Sequence, residues 1–201
     1  MALTRSRSQY HHGDLETALI STARKLVKKN GSEHLSLRQV ASEIGVSPSA
    51  TYHYFSDRDS LLAALGSSLF DELADFQEIE LSKISGKSAK AARDRFRALG
   101  ITYFTWASKE PHFFNLMFSE LCNFDSSMKK EDTRAYTNLT KCLDDLLEVG
   151  LLETRIRPYA ELLSWSVVHG ATSLIIGGHL APENYGDVLD GLELALGIRS
   201  N

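Results

Sequence analysis

The chain runs to 201 residues, 43% apolar and 24% charged, with 26 acidic against 22 basic side chains and a formal net charge of −4. A disordered chain would hold fewer apolar residues, and a helical membrane span would need a run of about 18 uncharged apolar positions that occurs nowhere here. The opening, Met1 to Leu15, carries Arg5 and Arg7 but no apolar signal core, so a cytoplasmic protein is predicted, long enough for one large domain or for a small domain joined to a larger one.

Helix punctuation is legible in chain order. Asp14 stands as an N-cap before Leu15, Leu19, Ala23, Leu26 and Val27, which share one helical face, and Asn30-Gly31 ends that helix. Ser36 opens a short helix carrying Leu37, Val40, Ala41 and Ile44, stopped by Gly45. Ser47-Pro48 pairs an N-cap with proline at the first helical position, and that third helix is predicted to run to about Tyr54. Ser56-Asp57 caps a fourth, with Leu61, Leu62, Leu65, Leu69 and Leu73 inward, lasting into the 80s. Gly86-Lys87-Ser88 precedes a fifth over 89–109, and Glu110-Pro111 opens a sixth ending near Leu121. Asn123–Lys130 reads as a polar loop. Helices near 132–149, 159–179 and 184–197 follow, divided by Gly150, Pro158 and Pro182. No segment alternates as a strand does, so the predicted fold is all-α with eight or nine helices. The boundary falls in the fourth helix, giving a head, residues 1–62, and a body, residues 63–201.

Charge is uneven along the chain. Residues 1–60 hold eight Lys/Arg against six Asp/Glu and four of the seven histidines (11, 12, 34 and 53), whereas the remainder is acidic. An anionic partner for the first segment fits that asymmetry. Cys122 and Cys142 stand 20 residues apart with no CxxC pair, which rules out zinc-ribbon and thioredoxin spacings and leaves two small hydrophobes.

Residues 36–55 place two short helices around Gly45-Val46-Ser47, a turn short enough to cross them steeply, which is a helix-turn-helix arrangement. Gly45 sits where the turn needs a positive φ. Val40, Ile44, Val46 and Phe55 bury the inner faces, and Ala41 permits close approach. The outer face of the third helix then presents Ser49, Ala50, Tyr52, His53 and Tyr54. Small residues at its start admit a backbone, the aromatics carry donors for phosphates or base edges, and the first amides offer an anion site. Two tyrosines and a histidine in a row cannot all face one core.

These residues resemble the DNA-binding domain of the TetR family of bacterial transcriptional regulators. The resemblance rests on Gly45-Val46-Ser47, on Tyr52-His53-Tyr54-Phe55, on Ser56-Asp57-Arg58-Asp59 before Leu61-Leu62, and on the opening Tyr10-His11-His12-Gly13-Asp14-Leu15. It covers Tyr10 to Leu62, about a quarter of the chain. Thr51 departs from it, standing where the family has a bulkier apolar residue. The resemblance implies a homodimer that sets two recognition helices into successive major grooves of a palindromic operator. Ser49, Ala50 and His53 would then face bases from the helix that Ser47 and Pro48 begin. Tyr52, Tyr54, Ser36, Arg38 and Arg58 would hold phosphates, and Arg5 and Arg7 of the arm would either add minor-groove or phosphate contacts or form an unstructured basic tail.

The body is rich in aromatic residues. Phe96, Leu99, Tyr103 and Phe104 share a face of the fifth helix, and Pro111 to Phe118 adds Phe113, Phe114, Met117 and Phe118. Trp165, Val168, His169, Thr172 and Ile176 form one stripe of the 159–179 helix; Leu163, Val167, Gly170, Ala171, Leu174 and Gly178 form another. Trp165-x-x-x-His169-Gly170, with Glu110 to Phe114 and Leu116 to Phe118, resembles a Trp-His-Gly subgroup of the same family. An apolar cavity with a few polar groups is how small-molecule sites are built, which makes Tyr103, Phe104, Phe113, Met117, Phe118, Trp165, His169 and Thr172 candidate effector contacts. The likeness to the family's four-helix dimer bundle assigns Leu163, Val167, Gly170, Ala171, Leu174 and Gly178, with Val188, Leu189, Leu192 and Leu196 of the last helix, to a dimer interface.

His112, His169, His179 and the pair His11-His12 invite a metal, yet no ligand pair at helical spacing with a third partner occurs. No GxSxG or HExxH motif occurs either. The sequence therefore predicts a ligand-responsive DNA-binding regulator, a repressor released by a small apolar effector, with no metal, cofactor, catalysis or membrane partner. The alternatives are an all-helical carrier or enzyme without DNA binding, and a DNA binder that answers to no effector.

Overall fold

The second, third and fourth helices each begin at a side chain that satisfies a free backbone amide. The computed structural model describes residues 12–119 and 133–198. The arm residues Arg5, Arg7, Tyr10 and His11, together with Cys122 and the loop expected at Asn123–Lys130, lie outside them. Among the described residues there are nine α-helices and no strand: α1 His12–Asn30, α2 Leu37–Ile44, α3 Pro48–Tyr52, α4 Arg58–Ser82, α5 Ala89–Lys109, α6 Pro111–Met117, α7 Arg134–Glu148, α8 Arg157–Ile176 and α9 Tyr185–Ala195. A short 3-10 helix, Pro182–Asn184, leads into α9.

Ser36 Oγ accepts from the Gln39 amide at 3.1 Å and Ser47 Oγ from the Ala50 amide at 3.2 Å. A serine cap of this kind contributes about 1 kcal/mol. Asp57 caps α4 reciprocally: Ser60 N donates to its carboxylate at 2.7 Å, and Asp57 N donates to Ser60 Oγ at 3.3 Å. The Ser60 amide, helped by the Ser56 hydroxyl, holds the Asp57 carboxyl below its ordinary range. Gly45 closes α2 at φ 80°, in the left-handed region, with its amide on the Ala41 and Ser42 carbonyls.

Some boundaries differ from expectation. α1 opens at His12, ahead of the expected cap Asp14, and α3 stops at Tyr52 because the Tyr54 and Phe55 amides both turn back to the Thr51 carbonyl. α6 stops at Met117, short of Leu121. α8 begins at Arg157 and ends at Ile176, where Gly177 and Gly178 break it.

Leu19, Ala23 and Val27 of α1, Leu37 and Val40 of α2, Phe55, and Leu61, Leu62 and Leu65 of α4 form the buried centre of the head. The body packs α5 and α7 against the second half of α4, with α8 and α9 outside α5. α4, 25 residues and about 37 Å long, belongs to both halves. The head is further fastened to the body by polar contacts: Arg24 pairs with Glu72 at 2.6 Å and lies 4.7 Å over the Phe113 ring, and Lys28 pairs with Glu110.

Arg93, Arg95 and Arg97 flank Phe96 and would read from sequence as a solvated face. They are instead bound in place. Arg93 pairs with the buried Glu193 at 2.7 Å, Arg97 with Asp190 at 2.6 Å, and Arg95 with Asp145 at 2.7 Å and with the Gly86 carbonyl. Acidic residues on α9 and α7 face α5 at these positions, so the guanidinium groups tie three helices together. Cys142 is buried, and burial pushes its thiol up to about 12, which keeps it protonated at neutral pH. No helix among the described residues is long and apolar enough to cross a membrane.

Candidate nucleic-acid interface and ligand cavity

The turn at Gly45 sets α3 across α2, and what α3 shows to solvent follows from its own burial pattern. Thr51 points inward with no exposure, Ala50 and Tyr54 are half-buried, and Ser47, Pro48, Ser49, Tyr52 and His53 are exposed, Tyr52 by 51%. Ser36 and Arg38 are exposed at the start of α2, on the other side of the turn. One contiguous outer surface therefore carries hydroxyls, an imidazole, a phenol and a guanidinium, groups that reach phosphates and base edges.

Two expectations shift here. α3 has only five residues and its Ala50 amide is taken by Ser47, so the helix start offers less to an anion than expected. Arg58 is half-buried. Its guanidinium donates to the Ser32 carbonyl at 2.8 Å and pairs with Asp59 at 3.1 Å, bracing the start of α4 against the end of α1.

The departure at Thr51 also has a structural outcome. Its hydroxyl is fully buried with no hydrogen-bond partner among the described residues, a cost of about 1–3 kcal/mol to the head.

The body holds a cavity of about 90 Å³, partly open to solvent. α4 contributes Phe70, Leu73 and Gln77, and α5 contributes Phe96, Leu99, Gly100 and Tyr103. Tyr136 and Leu139 come from α7, Ser164, Trp165 and Val168 from α8, and Leu189 and Leu192 from α9, with Phe118 beyond α6. Gly100 lets α9 approach closely, since a Cβ there would lie 2.9 Å from Leu189 Cδ2 and the leucine would have to shift. Tyr185 holds the same contact, its hydroxyl donating to the Gly100 carbonyl at 2.8 Å. Gln77 is buried and its Oε1 accepts from Asn138 Nδ2 at 3.2 Å. Ser164 Oγ is buried with no hydrogen-bond partner among the described residues.

Of the eight expected effector contacts, Tyr103, Phe118 and Trp165 line this cavity. The other five do not. His169 lies behind the wall, sharing a 2.9 Å hydrogen bond with Tyr103 and stacked on Phe114 with ring centres 5.3 Å apart. Phe104 stacks on Tyr185 at 4.2 Å, Thr172 is fully buried, and Phe113 and Met117 pack into the buried core on α6. Burial pushes the Tyr103 phenol well above its ordinary range, so it stays neutral. Sequence reasoning missed Gln77 and Ser164. The signal was present: Leu69, Leu73 and Gln77 fall four apart on α4, as Ala160, Ser164 and Val168 do on α8, a polar residue set into each apolar stripe.

The expected dimer residues divide. Leu174 and Gly178 are exposed, and Leu163, Val167, Gly170 and Val188 are half-buried. Ala171, Leu189, Leu192 and Leu196 are buried within the chain, Leu189 and Leu192 at the cavity wall, so these four cannot present an outer face. The large apolar residues that are exposed nearby are Tyr159, Leu162, Leu174 and Leu194. The helix crossing, not the hydrophobicity, decides which stripe faces out.

Two family models match this chain. The one described as bacterial regulatory proteins, tetR family, covers residues 19–65, and the one described as tetracyclin repressor-like, C-terminal domain, covers residues 96–196. Neither description names a Trp-His-Gly subgroup. HTH-type transcriptional regulators from Mycobacterium tuberculosis and Mycobacterium bovis are 36% identical over 61 residues, 30% of this chain. The match spans about a quarter of the length of those relatives, 26%. Among solved structures, a protein of unknown function from Rhodococcus sp. RHA1 superposes with a TM-score of 0.72 at 26% identity, over 95% of this chain and 100% of that one. A TetR family transcription regulator from Marinobacter aquaeolei VT8 gives 0.63 at 21% identity, over 92% and 96%. The regulator FadR from Bacillus subtilis in complex with stearoyl-CoA gives 0.64 at 15% identity, over 91% and 99%, which is likeness of fold alone.

Proposed function

Because the chain belongs to the TetR family of bacterial regulatory proteins, we propose that it is a homodimeric, cytoplasmic repressor, released from a palindromic operator by a small apolar effector. The observation that carries this reading is α4. One continuous helix begins just after the exposed α3 surface and lines the cavity wall with Phe70, Leu73 and Gln77, so occupancy of the cavity and orientation of the head act on the same rigid element. An effector that binds better to a form whose heads misfit the operator shifts the population towards that form, and by linkage the operator weakens the effector equally.

Ser49, Ala50 and His53 read bases in this proposal. Ser36, Arg38, Tyr52 and Tyr54 hold phosphates, Ser47 and Pro48 set the start of α3, and Arg58 serves mainly to brace α4. The second protomer docks on the outer faces of α8 and α9, around Tyr159, Leu162, Leu174 and Leu194. No catalytic step enters the proposal, the family's role being regulatory.

The test is retention of the DNA upstream of the protein's own coding region in a mobility-shift assay, with an unrelated fragment of equal length as competitor. Selective retention, weakening moderately as salt rises, is expected because Arg38 of each protomer neutralises phosphate and releases counterions, whereas the hydroxyl contacts do not. Equal binding to both fragments, or to neither, overturns operator recognition and favours a carrier whose head serves only packing.

A further inference from the structure

We propose that the effector is a compact, uncharged single-ring compound carrying one carbonyl or hydroxyl oxygen, and that Ser164 is the residue that anchors this oxygen. The proposal rests on reading the body cavity as the effector site.

Charge is the first constraint. No described residue lining the cavity is Lys, Arg, His, Asp or Glu, and the three arginines of α5 are committed to acidic partners on α7 and α9. A carboxylate or phosphate brought into such a wall would lose its water without gaining a charged partner, at a cost no apolar contact repays. A coenzyme A thioester, with its phosphates, needs the guanidinium or ammonium groups that this wall lacks.

Size is the second. The cavity measures about 90 Å³, whereas a cavity of roughly 150 Å³ houses a benzene ring. One ring, with a modest outward shift of side chains, is what this space accepts. The wall suits a flat molecule, since Phe70, Phe96, Phe118 and Trp165 offer ring faces and edges from four places in the fold.

The third constraint is the polar pair. A helical serine commonly turns its hydroxyl back to the carbonyl four residues earlier. Ser164 makes no such bond, and its Oγ is buried at the cavity with no partner among the described residues. A buried hydroxyl left unpaired costs stability, and a ligand oxygen placed against it removes that cost. Gln77, whose Oε1 accepts from Asn138 Nδ2, can turn its amide NH2 to a ligand oxygen.

Titration calorimetry on the full chain with toluene, benzyl alcohol and benzoate tests this, because the three probes share one ring and differ in the polar group. Benzyl alcohol should bind about three- to tenfold more tightly than toluene, the scale of one net hydrogen bond, and benzoate should be weakest. Ser164→Ala should bring benzyl alcohol down to the affinity of toluene while toluene itself is unchanged. Ser164→Thr, which keeps a hydroxyl, should keep the preference. The proposal is overturned if benzoate binds tightest, if the two variants behave alike, or if none of the three probes binds at millimolar concentration. Retention of upstream DNA by the same preparation separates the two readings. DNA bound without any probe leaves the repressor standing and removes this effector class; probes bound without DNA does the reverse.

Discussion

Tyr52 occupies the last position of α3 with half of its surface in solvent, on a face whose neighbours are Ser49 and His53. Its phenol is the longest-reaching neutral donor on that surface, and its removal leaves no hole in the head's core. Tyr52→Ala should therefore weaken operator binding by about 1–3 kcal/mol, the worth of a hydrogen bond to a charged phosphate with its packing. Fluorescence anisotropy with labelled upstream DNA reads this directly, with thermal melting as the control for folding. An operator affinity equal to that of the parent protein would remove α3 from the docking surface. The face on which Tyr52 stands was legible from sequence, because three consecutive large residues cannot share one core. The half-buried state of Arg58 was not, since the Ser32 carbonyl that captures it belongs to another element.

At the scale of elements, the join between head and body is made by side chains of α1 that no local pattern assigns. Arg24 meets Glu72 of α4 and the Phe113 ring of α6 at once, each contact only partly shielded from water. A partly exposed ion pair contributes 0–1 kcal/mol and a cation over a ring about 0.5–1 kcal/mol. Arg24→Ala should thus lower unfolding stability by about 1 kcal/mol in urea titration, while Arg24→Lys, which keeps the charge but not the planar group, should recover part of it. Indistinguishable midpoints for all three proteins would mean that Arg24 adds nothing to the join. Helix identity and order were readable from capping residues and from prolines at helix starts. Ends were less so: α3 stops early where the Tyr54 amide turns back to the Thr51 carbonyl, and α6 where the Ser119 amide turns back to that of Leu116. The cavity was half legible. Periodicity placed Tyr103 and Trp165 on inward faces, but Phe104 and His169 were drawn aside by Tyr185 and by Tyr103, partners distant in sequence.

For the whole molecule, the exposed apolar residues of α8 and α9 are the assembly question. Tyr159, Leu162 and Leu194 are each at least 66% exposed in a single chain, an outlay of apolar surface that a second copy would cover. Charges placed there sit in water in the monomer and in a closed interface in the dimer. The double substitution Leu162→Glu with Leu194→Glu should accordingly leave the fold intact and shift the sedimenting species to a single chain of 22.3 kDa. A folded variant that still sediments at twice that mass moves the interface elsewhere. Ala171→Arg would be a poor probe, because Ala171 is buried within the chain and the variant would unfold before it reported on assembly.

The cavity has a bearing on how long the protein lasts. A compound that binds in the body cavity stabilises the folded chain by mass action, about 2.7 kcal/mol at a hundred times its dissociation constant, a sizeable share of a marginal folding free energy. Proteases that act on the unfolded chain would therefore clear the vacant form faster than the filled one. Exposure to the inducer would then raise the number of repressor molecules while disarming each of them. When the compound disappears, a larger stock stands ready to shut the target genes, so the switch would close faster than it opened.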